Sequence, residues 1–254
     1  MPKQRTIVVL GGALSGPTAA ARARETDPDA IIILLERAAT ISYAVGGLPY
    51  YLSGEVDAQA DLAPFRVEFF SRYYGVDVRT GVTVERLDAD RHVVHTSAGE
   101  LRYDSLIYAL GAGSVRPPEF GDGAANLSFL RDMADLERIA AISSQGATRA
   151  VIVGGGFYGV EAADCLARRG LAVTLIERAA QLLPEFSPAA ASRAARALVA
   201  EGVDVRTSAI VTGVTREGER ITAIECGEVS VPADLILITA GVRPRSEIFA
   251  AAGG

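Results

Sequence analysis

Hydrophobic residues in this chain fall into short unbroken blocks separated by polar, glycine-rich punctuation. Thr6–Leu10 (TIVVL) and Ile31–Leu35 (IIILL) are two such blocks, with a helical stretch between them. Ala150–Val153 (AVIV) and Leu171–Ile176 (LAVTLI) are two more, again with a helical stretch between them. Continuous apolar runs of this length, bounded by turn residues, predict strands buried on both faces of a parallel sheet. Each pair is organised alike. The first strand runs into a glycine cluster, Gly11–Gly16 or Gly154–Gly159, and the second ends on an acid, Glu36 or Glu177. Strand, glycine turn, helix, strand, acid therefore occurs twice.

The remaining pattern fills in around the two repeats. Ile41–Tyr51 is punctuated by glycine and proline and predicts a loop carrying Tyr43, Tyr50 and Tyr51; a helix is predicted from about Pro64 to Tyr74. Alternating runs at Val76–Val78, Val82–Val84 and Val93–His95 predict an antiparallel meander. Asp104–Ala109 predicts a buried strand, closed by Leu110–Gly113, and the Pro- and Gly-rich stretch Ser114–Ala125 predicts a linker. Beyond it come a helix around Met133–Ile142, the second repeat, and a helix begun by Ser187-Pro188 and ended at Gly202. Val203–Val205, Ile210-Val211, Ile221–Ile224 and Val229–Val231 predict a second meander, and Leu235–Ile238 a closing strand before Thr239–Pro244.

The glycine clusters have a specific chemistry. In a G-x-G-x-x-G turn the first glycine permits the tight exit from the strand. The second lets a pyrophosphate approach the backbone, and the third lets the helix pack close to the strand. Phosphates then rest on free N–H groups at the helix N-terminus. The acid ending the second strand accepts hydrogen bonds from a ribose. The second copy, Gly154-Gly155-Gly156-Phe157-Tyr158-Gly159, is complete; in the first, Gly11-Gly12-Ala13-Leu14-Ser15-Gly16, alanine takes the middle position. Two dinucleotide sites in one chain suit electron passage between them. The Glu177 carboxylate favours a free 2′-hydroxyl and repels a 2′-phosphate, with Arg178 beside it as a partial offset, so NADH is expected over NADPH.

Composition narrows the chemistry. The 254 residues carry 25 basic and 31 acidic side chains, a net charge of −6 with no basic stretch, so nucleic acid is not an expected partner. No apolar run approaches the roughly 20 residues of a membrane span, and the N-terminus enters the first strand directly, so no membrane association and a cytoplasmic location are expected. Lys3 is the single lysine, His92 and His95 the histidines, and Cys165 and Cys226 the cysteines. His92 and His95 lie three apart in a strand-like run, on opposite faces, which argues against a shared metal. No metal site is expected, and both cysteines are expected to be small packing residues. With so few acids, bases and nucleophiles, bound cofactors must carry any hard chemistry.

Taken together, Gly11–Gly16, Ser42–Tyr51, Ala109–Ala112, Gly154–Glu161 and Gly241–Pro244 resemble the FAD-dependent pyridine nucleotide-disulfide oxidoreductases, most closely their coenzyme A-disulfide reductase and NADH oxidase branch. The resemblance spans nearly the whole chain. It implies an α/β protein of two Rossmann-like, three-layer domains, with mostly parallel sheets and antiparallel meanders. Residues 1–115 would form an FAD domain and 125–245 an NAD(P)H domain, with 246–254 beginning a return to the first. It implies FAD contacts at Gly11, Gly12, Ala13, Gly16, Glu36, Arg37, Ser42, Val84, Ala109 and Gly111. Nicotinamide-nucleotide contacts fall at Gly154, Gly156, Phe157, Tyr158, Gly159, Glu161, Glu177 and Gly241, with Phe157 matching an aromatic that gates the nicotinamide pocket. Tyr50 and Glu161 are the catalytic candidates.

Two departures shape the expected function. The branch's loop has a redox cysteine beside the flavin, where this chain has Gly46 in Ser42-Tyr43-Ala44-Val45-Gly46-Gly47-Leu48-Pro49-Tyr50. Without a thiolate, nothing is present to attack a disulfide. The family also has a segment returning to the flavin domain and a C-terminal dimerisation domain, which this sequence does not include, so a fragment of a homodimeric protein is expected. The expected activity is passage of hydride from NADH to FAD and of electrons to a small-molecule or redox-protein acceptor. The alternatives are a cysteine-less flavin and NADH-binding protein with a regulatory or electron-transfer role, and a reductase of an organic, CoA-linked substrate.

Overall fold

The computed structural model describes residues 4–253; Lys3 lies outside them. Strand β1 (Thr6–Leu10) leads through helix α1 (Ser15–Thr26) to strand β2 (Ile31–Leu35). Helices α2 (Leu48–Ser53) and α3 (Val67–Tyr74) follow. Next come strands β3 (Val76–Arg79), β4 (Val84–Asp88), β5 (Val93–Thr96), β6 (Gly99–Arg102), β7 (Ser105–Tyr108) and β8 (Ala112–Ser114). The second half contains β9 (Leu127–Phe129), α4 (Met133–Ser144), β10 (Arg149–Val153), α5 (Phe157–Arg168), β11 (Ala172–Ile176), α6 (Pro188–Ala200) and β12 (Asp204–Arg206). It closes with β13 (Gly213–Glu217), β14 (Arg220–Cys226), β15 (Val229–Pro232), β16 (Leu235–Ile238), β17 (Val242–Pro244) and α7 (Glu247–Ala251). These form two compact units. The first holds the chain up to Val45, Gln59–Ala112 and the stretch from Pro244; the second holds Gly46–Ala58 and Gly113–Arg243.

In the first unit a parallel sheet has the order β3-β2-β1-β7. Successive side chains of a strand point to opposite faces. Ile7, Val9, Ile32 and Leu34 accordingly pack with Ala20 and Phe70 of α1 and α3. Val8, Leu10, Ile33 and Leu35 pack on the other face with Leu87 and Val94 of the β4-β5-β6 meander. The second unit repeats this with a five-stranded parallel sheet, β12-β11-β10-β16-β9, and the meander β13-β14-β15. Val151, Val153, Ile176, Ile236 and Ile238 face Ile221, Ile224 and Val231 of that meander. Ile152, Leu175 and Leu237 are equally buried on the opposite face. Both sheets are covered on both sides, which is why their interior strands β1, β2, β10, β11 and β16 are almost wholly apolar. The chain thus has the expected α/β class, with two three-layer Rossmann-like folds.

Several local expectations are corrected. Val76–Val78 and Val203–Val205 do not belong to the meanders; Val76–Val78 lies in β3 and Val203 leads into β12, and these strands extend the parallel sheets beside β2 and β11. Their short Val-x-Val pattern fits either kind of pairing, and only the preceding helix decides it. Ile210-Val211 forms no strand. Leu48–Ser53, within the predicted loop, is helical, with Leu48, Pro49 and Leu52 buried. Ser114–Ala125 is no loose linker: Phe120 is fully buried in the second core, and Arg216 donates to its carbonyl. β7 is half-buried, because it forms the edge of its sheet. Ser187 caps α6 by accepting from the Ala190 amide, with Pro188 in the first turn as expected.

One carboxylate pins the start of each sheet. Asp104 Oδ2 accepts from the Thr6 amide at 2.9 Å, joining the bases of β7 and β1. Asp234, at the base of β16, accepts from the amides of Thr148 and Arg149 at 3.1 and 3.0 Å, and from the Thr148 hydroxyl at 3.0 Å. The Arg149 guanidinium reaches it at 2.6 Å. The arginine and these donors hold its carboxyl well below the usual carboxylate range. A depressed folded-state pKa contributes stability above the unfolded value of about 3.9, and that contribution is lost as pH falls below it. Asp234→Ala is therefore expected to cost about 1–2 kcal/mol at neutral pH, after allowing for solvent screening. Urea unfolding followed by circular dichroism should show wild type and variant converging as the pH is lowered through the carboxylate range. An equal gap at low pH would show that the carboxylate's charge is not the source.

Candidate functional site

The glycine turns sit at the C-terminal ends of the central strands. In the first unit Gly11 takes φ +101, and a Cβ there would lie 2.2 Å from the Ala109 carbonyl oxygen. A Cβ on Gly16 would lie 1.8 Å from the Gly11 carbonyl oxygen, so α1 approaches β1 as closely as it does only because Gly16 has no side chain. The second unit repeats both contacts: Gly154, at φ +112, abuts the Thr239 carbonyl at 2.5 Å, and Gly159 abuts the Gly154 carbonyl at 1.9 Å. The middle position differs. A Cβ on Gly156 would meet nothing within 4 Å, and its backbone, φ −73 and ψ −171, suits any residue. The protein's own packing does not require glycine there. What its absent side chain leaves is open space before the first turn of α5.

That space faces amide groups without partners from a cap. Helices α4 and α6 are capped by the side chains of Asp132 and Ser187, whereas α1 and α5 follow Leu14 and Gly156 with no side-chain cap. Amides at a helix start attract an anion such as a phosphate.

Each acid reaches back to its turn. Glu36 accepts from the Gly12 amide at 2.6 Å through one oxygen and from the Ala38 amide at 2.8 Å through the other. Glu177 accepts from the Gly155 amide at 2.5 Å and the Ala179 amide at 2.7 Å. It is only 8% exposed. A carboxylate oxygen accepts more than one hydrogen bond, so each group keeps capacity for a ribose hydroxyl. Behind each turn the chain is fastened again: the Ser42 amide donates to the Gly12 carbonyl at 2.7 Å, and the Leu183 amide to the Gly155 carbonyl at 2.8 Å. Ser42 and Leu183 both adopt positive φ, 53 and 49.

The structure therefore gathers Gly11, Gly12, Ala13, Gly16, Glu36, Ser42 and Ala109 at one sheet end, and Gly154, Gly156, Gly159 and Glu177 at the other. Arg37 and Gly111 are exposed at the rim of the first, and Val84 opens β4 half-buried. Phe157 is 60% exposed and Tyr158 half-buried. The exposed Gly241 takes φ +109, and its carbonyl accepts from the Val115 amide at 3.0 Å. Burial raises the Glu161 carboxyl above its ordinary value. Tyr50 and Gly46 lie in the segment that belongs to the second unit, Tyr50 exposed and Gly46 with nothing within 4 Å of a Cβ.

Thr239 was not among the expected site residues. Its hydroxyl donates to the Gly154 carbonyl at 2.8 Å, completing the turn. The signal was its place one residue after the closing strand, where Ala109 stands in the first repeat.

The remaining reactive groups lie apart from the turns. Cys165 is buried in α5, and burial, its largest perturbation, together with Asp164 pushes its thiol up to about 11. Cys226 is partly buried in β14, its thiol likewise raised by burial. His92 occupies a turn at φ +52, stacked on Tyr103 at 5.2 Å, rather than a strand position. His95 pairs with Glu100 at 3.1 Å. Among the described residues no cluster of His, Cys, Asp or Glu could hold a metal ion, and no helix is long and apolar enough to cross a membrane.

The family model described as pyridine nucleotide-disulphide oxidoreductase matches residues 5–254. A NADH oxidase of Methanocaldococcus jannaschii is 27% identical, over 97% of this chain and 56% of its own length. A rubredoxin-NAD(+) reductase of Alcanivorax borkumensis is 30% identical, over 97% of this chain and 65% of its own. The crystal structure of reduced Bacillus anthracis CoADR-RHD superposes with a TM-score of 0.92 at 29% identity, covering 99% of this chain and 46% of that one. This chain spans about half to two thirds of the length of these relatives. With strand, turn, helix and acid in place in both units and the family model matching residues 5–254, the chain belongs to the pyridine nucleotide-disulphide oxidoreductase family.

Proposed function

We propose that the first unit holds FAD and the second NADH, and that reducing equivalents pass from NADH through the flavin to an external acceptor without a protein thiol. The observation that carries this reading is the duplicated turn: two uncapped helix starts, each facing a carboxylate anchored on the turn's own amide. The residues fit a dinucleotide in both places. Open space lies before Gly156, Ala13 adds a single methyl at the matching point, and both carboxylates retain accepting capacity. When bound, the nicotinamide supplies a hydride and the flavin accepts it. The protein's part is to hold phosphates on the α1 and α5 amides, and to orient riboses through Glu36 and Glu177.

Gly46 supports the thiol-free reading, since the branch this chain resembles has its redox cysteine there. Cys165 and Cys226, both with raised pKa, are poor nucleophiles. The relatives' names support an external acceptor: one is named for rubredoxin and another as an NADH oxidase. Either acceptor takes electrons without a disulfide. The purified protein should show flavin absorption that NADH bleaches anaerobically and ferricyanide restores, with no reduction of coenzyme A disulfide above background. A colourless protein that cannot be reconstituted with FAD would overturn the reading. Bound flavin that NADH fails to bleach would favour a binding role instead.

The near-buried Glu177 disfavours a 2′-phosphate, so kcat/KM for NADH should exceed that for NADPH by about tenfold or more, the equivalent of about 1.4 kcal/mol. Parity between the two would mean that the exposed Arg178 offsets the carboxylate.

The glycines of the second turn should separate binding from folding. Gly156→Val fills the open space and should weaken NADH binding about tenfold or more with little change in melting temperature. Gly159→Val collides with the Gly154 carbonyl and should destabilise the second unit by about 1–3 kcal/mol. Calorimetric titration and thermal unfolding of both variants provide the check. Normal NADH affinity in Gly156→Val would place the pyrophosphate elsewhere.

A further inference from the structure

The segment 46–58 lies in sequence between two pieces of the first unit, yet it packs within the second. Its helix α2 rests on α5, the helix that begins at the second glycine turn. The polar contacts between them lie at the far end of α5. The Arg169 guanidinium donates to the Tyr51 carbonyl at 3.1 Å. It also lies 3.2 Å from the point where a Cβ on Gly54 would sit. Gly54 ends α2 in the left-handed region, at φ +84. Arg168, paired with Asp164 at 3.1 Å, approaches Glu55 at 4.0 Å. Between them Cys165 is only 7% exposed, and Ser53 at the end of α2 donates its hydroxyl to the Tyr50 carbonyl at 2.9 Å. Below these polar contacts Leu48, Pro49 and Leu52 are buried.

These contacts give α5 two working ends. Its first turn carries the open amides at Gly156. Its last turn grips the last turn of α2, whose other end begins at Gly46-Gly47. A main-chain carbonyl at a helix C-terminus carries partial negative charge, so a guanidinium there is both a donor and an electrostatic match. The geometry points to Arg169 as a positioning residue that fixes segment 46–58 to α5, so that this segment and the nucleotide turn behave as one body and hydride transfer depends on the clamp. This inference rests on the proposed assignment of NADH to the second unit, and its principal measurement does not use turnover.

Cys165 reports the clamp. It is covered by α2, and in a Cys226→Ser background it is the single thiol. Its reaction with a colorimetric disulfide reagent measures how often α2 lifts away. In the flavin-loaded protein, Arg169→Ala should raise the labelling rate about tenfold or more, and Arg169→Lys, which keeps a donor and the charge, should restore most of the protection. NADH should slow labelling of the Arg169 protein and lose that effect in Arg169→Ala. With ferricyanide as acceptor, Arg169→Ala should lower kcat by about tenfold with KM for NADH changed less than about twofold, and Arg169→Lys should recover kcat. Unchanged labelling in Arg169→Ala overturns the clamp. Faster labelling with unchanged kcat, or a kcat loss that lysine does not recover, overturns the positioning role. A protein that takes up FAD and NADH yet never bleaches defeats the proposed oxidoreductase activity, and the positioning of hydride transfer with it. Labelling then still decides separately whether Arg169 holds the segment.

Discussion

Both units depend on how closely a helix can approach the end of the strand before it. The first glycine's carbonyl lies within 2 Å of the place where a side chain would stand at Gly16 or Gly159. No other residue type fits without moving the helix. That approach sets the height of α1 and α5 above their sheets and leaves their opening amides at the sheet ends. It also leaves the first glycine wedged under a backbone carbonyl from the neighbouring strand, at Ala109 or Thr239. The turn is therefore held by three segments at once: its own strand, its own helix and the strand alongside.

The acids add a second layer to the same construction. Glu36 and Glu177 each secure the protein itself, joining the turn's second amide to the backbone two residues beyond the acid. A carboxylate placed this way is oriented before any ligand arrives. In the second unit it is also nearly buried, where its charge is screened less by solvent. In the first it is more accessible, so the two copies, alike in hydrogen bonding, differ in their exposure to solvent.

Against this symmetry, the segment after the first repeat is where the units diverge. In the first repeat the chain beyond Ser42 leaves the unit and returns at Gln59, having built α2 within the other unit. In the second, the chain beyond Leu183 stays at home and forms the capped α6. A duplicated framework has thus been turned to unequal purposes by one excursion of 13 residues, from Gly46 to Ala58.

The duplicated strand, turn and acid were plain in the sequence because their chemistry is local. A buried strand must be apolar along its length, a turn under a carbonyl must be glycine, and the acid at the end of the next strand falls at a set spacing. The caps at Ser187 were legible for the same reason. What the sequence did not disclose depended on distant partners. Val76–Val78 and Val203–Val205 look like meander strands until β2 and β11 supply parallel neighbours. Leu48–Ser53 looks like a loop because a six-residue helix has little intrinsic stability and exists only against α5. Phe120 looks like part of a linker because one buried ring leaves no periodic trace. The part played by Thr239 was hidden because a hydroxyl becomes a turn fastener only when another strand's carbonyl is brought to it. Sequence by itself determined the two local frameworks and their chemistry. Tertiary structure decided which unit each intervening segment joins, because burial against remote surfaces has no local pattern.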